Sequence, residues 1–317
     1  MPTQDHLTVT VKETRAEAAG VRSFVLAARE GRSLPAWSPG AHIDVVLSRD
    51  LVRQYSLSSA PEDTGWRIAV LREPDGRGGS AYLHDRVREG DTLLVSAPRN
   101  TFALDLDAPR LVFVAGGIGI TPILPMVAAA ERAGVDWRLL YLGRCADSMA
   151  FTAELAAYGD RVRLHRDDVS GVADLAAELD AMGAADAHVY ACGPAGLLAA
   201  VQEYVAGHPA ARLTLERFAA APDAQQRGDE RPFTVETGDG REIAVAAGQS
   251  IVDALADAGV RTLTSCREGV CGTCETVVLD GEPDHRDQLL SEEERAAGDV
   301  MMICVSRCRG DRLVLDV

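Results

Sequence analysis

The chain has 317 residues, 47% of them hydrophobic and 25% charged, with a formal net charge of −16 at pH 7. This composition is ordinary for a globular protein of two or three domains, and the negative charge argues against binding to nucleic acid or to an anionic membrane. No apolar run approaches the ~20 residues that span a bilayer. The N-terminus has no basic segment followed by an apolar one, so we expect a cytoplasmic protein.

The first hundred residues alternate short strands with turns. Leu7, Val9 and Val11 alternate with polar residues, and further strands are predicted over 21–28, 42–48, 66–71 and 91–96. Strands at this spacing are typical of a small antiparallel barrel.

Two polar stretches interrupt the strand pattern, Arg53-Gln54-Tyr55-Ser56 and Gly76-Arg77-Gly78-Gly79-Ser80. Ser80 is expected to be the N-cap of a short helix. Glycine amides at a helix start, with an arginine nearby, form an anion site. The alternative is a hairpin turn with a surface arginine.

Together these stretches resemble the flavin-binding signature of the ferredoxin reductase-like flavoproteins. The resemblance implies that the tyrosine stacks on the isoalloxazine, that the serine contacts its reactive edge, and that the arginine and the Gly-Gly-Ser turn hold the phosphate. The flavin-binding residues it implies are Arg53, Gln54, Tyr55, Ser56, Gly78, Gly79 and Ser80.

From about residue 107 strands alternate with helices. An apolar strand over 111–115 leads through Gly116-Gly117-Ile118-Gly119-Ile120-Thr121-Pro122 into a helix over 123–133. Further strands are predicted over 137–142, 161–165, 187–191 and 212–216, the fourth of the five leading into Cys192-Gly193-Pro194. The alternation predicts a doubly wound parallel sheet, with ligands at the carboxyl ends of its strands.

The two glycine turns resemble the pyridine-nucleotide domain of the same reductases. The resemblance implies nucleotide contacts at Gly116, Gly117, Gly119, Thr121, Pro122, Cys192, Gly193 and Pro194. It places Thr121 and Cys192 near the nicotinamide, so that Ser56, Thr121 and Cys192 become the candidate catalytic residues. The alternative for Cys192 is a small buried residue.

The choice of nucleotide depends on the turn after the second strand of this sheet. Arg144 would serve a 2′-phosphate, whereas Asp147 would oppose one. NADH is favoured over NADPH, mainly because the relatives use it. In those relatives an aromatic residue beyond the last strand lies near the flavin, which makes Phe218 a candidate contact; a core phenylalanine is the alternative.

A polar stretch over 219–231 predicts a linker. A hairpin is then predicted over 233–236 and 242–245, a helix capped by Ser250 with Asp253, a strand over 276–279 and a polar helical turn over 287–294. This order resembles a β-grasp ferredoxin.

Four cysteines in this segment follow the pattern C-x4-C-x2-C with a distant fourth: Cys266, Cys271, Cys274 and Cys304. This is the plant-type spacing for a [2Fe–2S] cluster. Gly269 and Gly272 allow a tight loop, and amide N–H groups, together with Arg267, are expected to offset the negative charge of the cluster. The alternative is a zinc ion held by Cys271, Cys274, Cys304 and Cys308.

The order of the three parts resembles the phthalate dioxygenase reductase family, which includes reductases of vanillate demethylase type. The implied domains are an FMN-binding barrel over 1–104, an NADH-binding α/β domain over 105–220, a linker over 221–231 and a [2Fe–2S] ferredoxin domain over 232–317. FAD is the alternative flavin. The resemblance implies a monomeric, NADH-dependent oxidoreductase that delivers electrons singly to an oxygenase component.

A Rieske-type oxygenase is the favoured partner, a cytochrome P450 is the second, and a flavin and iron–sulfur redox sensor is a third reading of the chain. Residues 229–317 carry 19 acidic and 9 basic side chains, which predicts that the ferredoxin domain docks through a negative face. Solubility alone is the alternative explanation for this charge.

Overall fold

The computed structural model describes residues 6–29, 32–48, 51–219 and 230–317. They form two compact units, one ending at Arg217 and the other running from Phe218 to Val317. Within these ranges, no helix is long and apolar enough to cross a membrane. The predicted linker lies outside the described residues over 220–229, so its structure stays a prediction.

The chain begins with an antiparallel sheet of six strands in the order β4-β3-β6-β1-β2-β5. A bridge between Leu57 and Ile68 connects the two edges, and the sheet closes into the predicted barrel. Inward-facing side chains such as Phe24, Ile43 and Trp66 fill it. The strands are β1 (Leu7–Ala18), β2 (Val21–Ala28), β3 (His42–Ser48), β4 (Leu51–Ser56), β5 (Trp66–Leu71) and β6 (Thr92–Val95).

Two local features of the barrel differ from the sequence-based expectation. The stretch Arg53–Ser56 does not interrupt the sheet but lies in β4, because strand pairing uses backbone groups whatever the side chains. The helix α1 (Gly79–Arg86) is capped by Gly78 in a left-handed conformation, so the expectation that Ser80 is the N-cap is wrong. The Ser80 hydroxyl accepts a hydrogen bond from the Glu73 amide instead, across 3.1 Å.

A parallel sheet of five strands follows, in the order β11-β10-β7-β8-β9. The strand order reverses between β7 and β10, which is where sheets of this kind bind ligands. The strands are β7 (Arg110–Gly116), β8 (Asp136–Gly143), β9 (Val162–Arg166), β10 (His188–Cys192) and β11 (Arg212–Glu216). The helices are α2 (Ile120–Ala133), α3 (Thr152–Leu155), α4 (Asp167–Ser170), α5 (Leu175–Ala181) and α6 (Ala195–Ala206).

Barrel and parallel sheet pack together within the first unit. Val21 and Ala69 of the barrel belong to the same buried cluster as Phe113 of β7. Arg67 of β5 lies over the Phe151 ring at 4.6 Å from its centroid and pairs with both carboxylate oxygens of Glu154, at 2.5 and 3.0 Å. The two sheets therefore hold a fixed relationship, and residues from both can form one site.

The second unit is a five-stranded mixed sheet in the order β13-β12-β18-β14-β16, with a two-stranded ribbon of β15 and β17. Ser250 caps α7 as predicted, by accepting a hydrogen bond from the Asp253 amide. The strands are β12 (Phe233–Thr237), β13 (Glu242–Val245), β14 (Glu275–Asp280), β15 (Pro283–Asp284), β16 (Val300–Met302), β17 (Arg307–Cys308) and β18 (Arg312–Leu315). The helices are α7 (Ile251–Asp257) and α8 (Glu292–Ala297), the latter beginning five residues after the start of the predicted helical turn.

Candidate functional site

Arg53 of β4 lies against the glycine turn that opens α1. A Cβ atom at Gly79 would fall 2.4 Å from Arg53 Cγ, so only glycine permits this approach. The guanidinium donates a hydrogen bond to the Arg77 carbonyl across 2.9 Å, and Gly78 takes a positive φ of 82°. The fold thus brings together two stretches that are some 25 residues apart in the sequence.

Tyr55 packs against the barrel core beside Arg53, and burial raises the pKa of its phenol above the usual range. Gln54 pairs in register with Asp44 of β3. Because side chains alternate along a strand, Arg53 and Tyr55 share one side of β4, and Gln54 and Ser56 share the other. The predicted flavin residues are therefore neighbours along one strand and the turn beside it.

The two glycine turns of the parallel sheet touch each other at the carboxyl ends of β7 and β10. A Cβ atom at Gly119 would lie 2.2 Å from the Cys192 carbonyl oxygen, and one at Gly193 would lie 3.0 Å from Gly116 Cα. A Cβ atom at Gly116 would meet Pro194 Cδ at 2.7 Å. Backbone contact this close requires glycine, and the two turns form a single cradle.

Thr121 and Pro122 lie in the first turn of α2, which starts directly after this cradle. Both are buried, and the Thr121 hydroxyl donates a hydrogen bond to the Ile118 carbonyl across 3.0 Å. Gly117 has a positive φ of 53° and open space around its Cα. The start of α2 is thereby held in place at the switch point of the sheet.

A second set of contacts joins the barrel to the parallel sheet around Glu216, the last residue of β11. The Ser56 hydroxyl at the end of β4 donates a hydrogen bond to the Glu216 carboxyl group. The Cys192 thiol lies 4.0 Å from Glu216 Oε2. Ser56 and Cys192, which are both predicted catalytic residues, therefore meet through a carboxyl group that the sequence did not single out.

His42 of β3 is the fourth member of this group. Its Nδ1 lies 3.9 Å from Glu216 Oε1. Neither ring nitrogen has a hydrogen-bond partner among the described residues. Burial, with Arg99 nearby, lowers the pKa of His42 to about 3. At neutral pH the imidazole is therefore uncharged.

Burial also disfavours the charged forms of the carboxyl and the thiol of this group. It raises the pKa of Glu216 to about 8, against a smaller opposing effect of the Ser56 hydroxyl. Burial, and then the neighbouring Glu216, raise the pKa of the Cys192 thiol well above its usual range. In this group of four polar side chains, burial thus disfavours the charged forms of the acid, the thiol and the imidazole.

Sequence reasoning missed Glu216 and His42. The available signal was the position of Glu216, at the carboxyl end of a strand next to the one that ends at Cys192. A carboxylate at that edge of a doubly wound sheet is a candidate ligand contact by position alone. His42 gave no such signal, because its neighbour Glu216 is distant in the sequence.

The four predicted cluster cysteines converge in the second unit. Cys266 contacts Cys271 and Cys304 through the side chains, and Cys304 also contacts Cys274. The four thiols thus form one continuous group, in the contact order Cys271, Cys266, Cys304, Cys274. Four converging thiols fit a two-iron core held by four thiolates.

Backbone amides of the cysteine loop point at the sulfur atoms. Glu268 N–H donates to Cys266 Sγ across 3.3 Å, and the Val270 amide donates to the same sulfur. The Gly269 amide donates to Cys304. Amide dipoles that surround the sulfurs offset negative charge there, as expected from the sequence.

Two side chains near the loop have other partners. Arg267 pairs with Asp253 across 3.1 Å. The Cys308 thiol donates to the Arg312 carbonyl across 3.3 Å, which counts against the zinc site that includes Cys308. In the part of the chain that the structure describes, no three His, Cys, Asp or Glu side chains are grouped to hold a single metal ion.

Phe218 is the first residue of the second unit, and its side chain is 46% exposed. It is not a core phenylalanine within that unit. Its predicted contact with the flavin stays a prediction.

Known proteins resemble the chain along its whole length. Residues 234–309 match the family described as 2Fe-2S iron-sulfur cluster binding domain. The phenoxybenzoate dioxygenase subunit beta of Ectopseudomonas oleovorans is 46% identical over 293 residues, which are 92% of this chain and 90% of that protein.

Two solved structures share the fold. Phthalate dioxygenase reductase, described as a modular structure for electron transfer from pyridine nucleotides to [2Fe–2S], has a TM-score of 0.71 and 35% identity over 99% of this chain and 98% of its own. An intact type IV self-sufficient cytochrome P450 monooxygenase has a TM-score of 0.87 and 41% identity over 98% of this chain. This chain spans 41% of that P450 chain.

These similarities confirm the predicted three-part fold, the oxidoreductase class and the [2Fe–2S] ferredoxin domain. They run through both units and cover nearly all of phthalate dioxygenase reductase. The chain therefore belongs to the family of oxygenase reductases that includes phthalate dioxygenase reductase and the vanillate O-demethylase oxidoreductases.

Proposed function

We propose that this chain is the reductase component of an oxygenase system, and that it delivers electrons from NADH, through bound FMN and a [2Fe–2S] cluster, to a partner oxygenase. One observation carries the proposal: the Arg53–Gly79 contact, the double glycine cradle and the cysteine loop occur in one chain that belongs to a family of oxygenase reductases. Each of the three features suits one of the three groups.

FMN is proposed to bind along β4 and the start of α1. Arg53 and the turn Gly78-Gly79-Ser80 would hold its terminal phosphate, with Gln54, Tyr55 and Ser56 along the ring system. The close packing of Arg53 on Gly79 supports this, because it sets a cation beside the backbone amides of a helix start. A terminal phosphate at this turn favours FMN over FAD.

NADH is proposed to bind at the glycine cradle. The residues that would hold it are Gly116, Gly117, Gly119, Thr121, Pro122, Cys192, Gly193 and Pro194. Ser56, Thr121 and Cys192 are proposed to contact the reacting rings, with Phe218 as a further flavin contact. The hydrogen bond of Ser56 and the proximity of Cys192 to one carboxyl group support a shared site.

The cluster is proposed to bind through Cys266, Cys271, Cys274 and Cys304. When bound, the flavin supplies the conversion of a two-electron donor into single electrons, and the cluster supplies one-electron storage. The residues of the chain bind and orient these groups and exclude water from them. No acid–base step on a substrate carbon is needed, because hydride and electron transfer require orientation of the bound groups rather than proton abstraction.

A Rieske-type oxygenase is the proposed partner, with a basic surface that complements the acidic ferredoxin unit. Exposed glutamates at Glu292, Glu293 and Glu294, in the first turn of α8, support such a face. We further propose a cytoplasmic monomer with domains over 1–104, 105–220 and 232–317, joined by the linker over 221–231.

A cytochrome P450 is the second candidate partner, because a self-sufficient P450 contains a region 41% identical to this chain.

The test is turnover of the purified protein with a panel of oxygenase components, in which NADH consumption is compared with product formed. Coupled turnover with a Rieske component supports the proposal. Coupling with a P450 alone would reassign the partner, and no NADH oxidation with any artificial acceptor would favour the redox sensor.

A further inference from the structure

A buried carboxylate lies directly behind the cysteine loop of the second unit. Asp287 is 3% exposed. Its Oδ2 accepts hydrogen bonds from the amides of Leu289 and Leu290, across 3.0 and 2.8 Å. These bonds shape residues 287–290 into a tight turn, which we call the backing turn.

The backing turn touches the cysteine loop at both of its glycines. The Gln288 amide donates to the Gly269 carbonyl across 2.9 Å. A Cβ atom at Gly269 would lie 3.0 Å from Asp287 Cα, and one at Gly272 would lie 3.2 Å from Leu289 Cδ2. The Gly269 amide in turn donates to the sulfur of Cys304. The turn therefore holds in place the residue whose amide donates to one of the cluster sulfurs.

Arg295 of α8 is the cation that faces Asp287. One of its NH groups lies 3.5 Å from Asp287 Oδ2 and donates to the Asp287 carbonyl across 2.6 Å. Its Nε donates to the Leu290 carbonyl across 3.0 Å. His285 Nδ1 lies 3.8 Å from Oδ1. Arg295 is 37% exposed, whereas the Asp287 side chain is fully buried, so water screens the cation more than the carboxylate.

We propose that Asp287 is a positioning residue for the cluster loop, and that the Asp287–Arg295 pair sets the reduction potential of the cluster. A buried negative charge opposes the arrival of an electron at a neighbouring site, and the opposing cation reduces that effect. Reduction potentials of such clusters depend on net charge and on hydrogen bonds to the sulfurs, and the backing turn controls both.

The proposal rests on the cluster assignment made above, but not on the identity of the partner. It predicts shifts of opposite sign for two single substitutions. Asp287→Asn keeps an oxygen acceptor for the two amides but removes the charge, so the cluster becomes easier to reduce. Arg295→Gln removes the opposing cation, so the cluster becomes harder to reduce.

The experiment is an anaerobic dye-mediated redox titration of the full-length holoprotein, followed by visible absorbance and by the EPR signal of the reduced cluster. We expect about a tenfold change in the one-electron equilibrium for each variant, which corresponds to ~59 mV, positive for Asp287→Asn and negative for Arg295→Gln. Glu282→Gln is the control, because it removes a charge that is exposed and paired with Arg309 at 3.2 Å.

Iron and sulfide content identifies which statement fails. A protein that holds no iron would contradict the cluster assignment itself. A fully loaded cluster whose potential moves no more than that of Glu282→Gln would overturn the role of Asp287. If Asp287→Asn loses its cluster, Arg295→Gln decides the matter: a negative shift supports the proposal, and a zero or positive shift overturns it.

Discussion

The Cys192 thiol, at the end of β10, lies 4.0 Å from the Glu216 carboxyl group, at the end of the adjacent strand β11. Ser56 of the barrel donates a hydrogen bond to the same carboxyl group. Residues from two sheets thus meet at one acid, whose side chain is only 10% exposed. Because burial shifts the pKa of this acid, the stability of the protein should depend on pH through it.

Glu216→Gln should remove a pH dependence of stability. Burial raises the pKa of Glu216 to about 8, from an ordinary value of 4.5. A carboxyl group with a raised pKa in the folded state contributes stability that is full below pH 4.5 and is lost as the pH rises through 8. We compare the free energy of unfolding of Glu216→Gln with that of the parent protein. We expect this difference to favour the variant by about 4 kcal/mol more at pH 8.5 than at pH 4.5.

The measurement is the unfolding of both proteins at pH 4.5, 7.0 and 8.5 with FMN held at one concentration. Glu203→Gln, on the exposed side of α6, is the matched control and should follow the parent protein at every pH. A constant difference between Glu216→Gln and the parent protein would show that the acid is ionised in the fold.

Gly119→Ala should damage the nucleotide cradle. The new Cβ atom would lie 2.2 Å from the Cys192 carbonyl oxygen, which is backbone and moves only with the turn. We expect a loss of roughly 1–3 kcal/mol in stability and a raised KM for NADH. Gly196→Ala is the control, because that helical site has open space; alanine there should stabilise by about 0.5–1 kcal/mol. Equal behaviour of the two variants would contradict the cradle.

Arg53→Ala should weaken FMN binding. A charge-assisted hydrogen bond to a phosphate is worth roughly 1.5–3 kcal/mol, so the dissociation constant should rise about tenfold to hundredfold. Recovery of FMN fluorescence on dilution measures this. Arg72→Ala removes an arginine that pairs with Asp85 on the surface and should leave the affinity unchanged. A normal FMN affinity in Arg53→Ala would place the phosphate elsewhere.

Cys271→Ser should separate the two halves of the electron path. Reduction of ferricyanide by NADH should remain largely intact, because it needs only the flavin, whereas reduction of cytochrome c should be abolished. Cys308→Ser is the control and should keep both activities, since its thiol bonds to the Arg312 carbonyl. Equal loss of both activities in Cys271→Ser would contradict the order from flavin to cluster.

Glu293→Lys should weaken delivery of electrons to the partner oxygenase. The side chain lies in the exposed acidic first turn of α8, and charge reversal there should lower the association rate. Rising salt should slow the parent protein and should affect the variant less. Glu203→Lys, on α6, serves as the control. If partner reduction by the parent protein does not weaken as salt rises, the acidic docking face is wrong.

The sequence determined the order of the three parts and singled out the four candidate cluster cysteines. Alternating apolar residues defined the barrel strands, and the x4–x2 spacing is local, so four candidate ligands could be named before any contact was known. The last strand of the parallel sheet, β11, was placed with its observed limits. These features depend on neighbours in the chain, which the sequence displays directly.

Only the tertiary structure decided which residues that are distant in the sequence contact one another. Glu216 became a candidate site residue because β11 lies beside β10 and the barrel presents Ser56 to it. The N-cap of α1 is Gly78, and the Ser80 hydroxyl instead accepts a hydrogen bond from the Glu73 amide. Asp287 reached the cysteine loop only through folding. The physical reason is that burial, and the pKa shifts that follow from it, depend on which distant segments pack together.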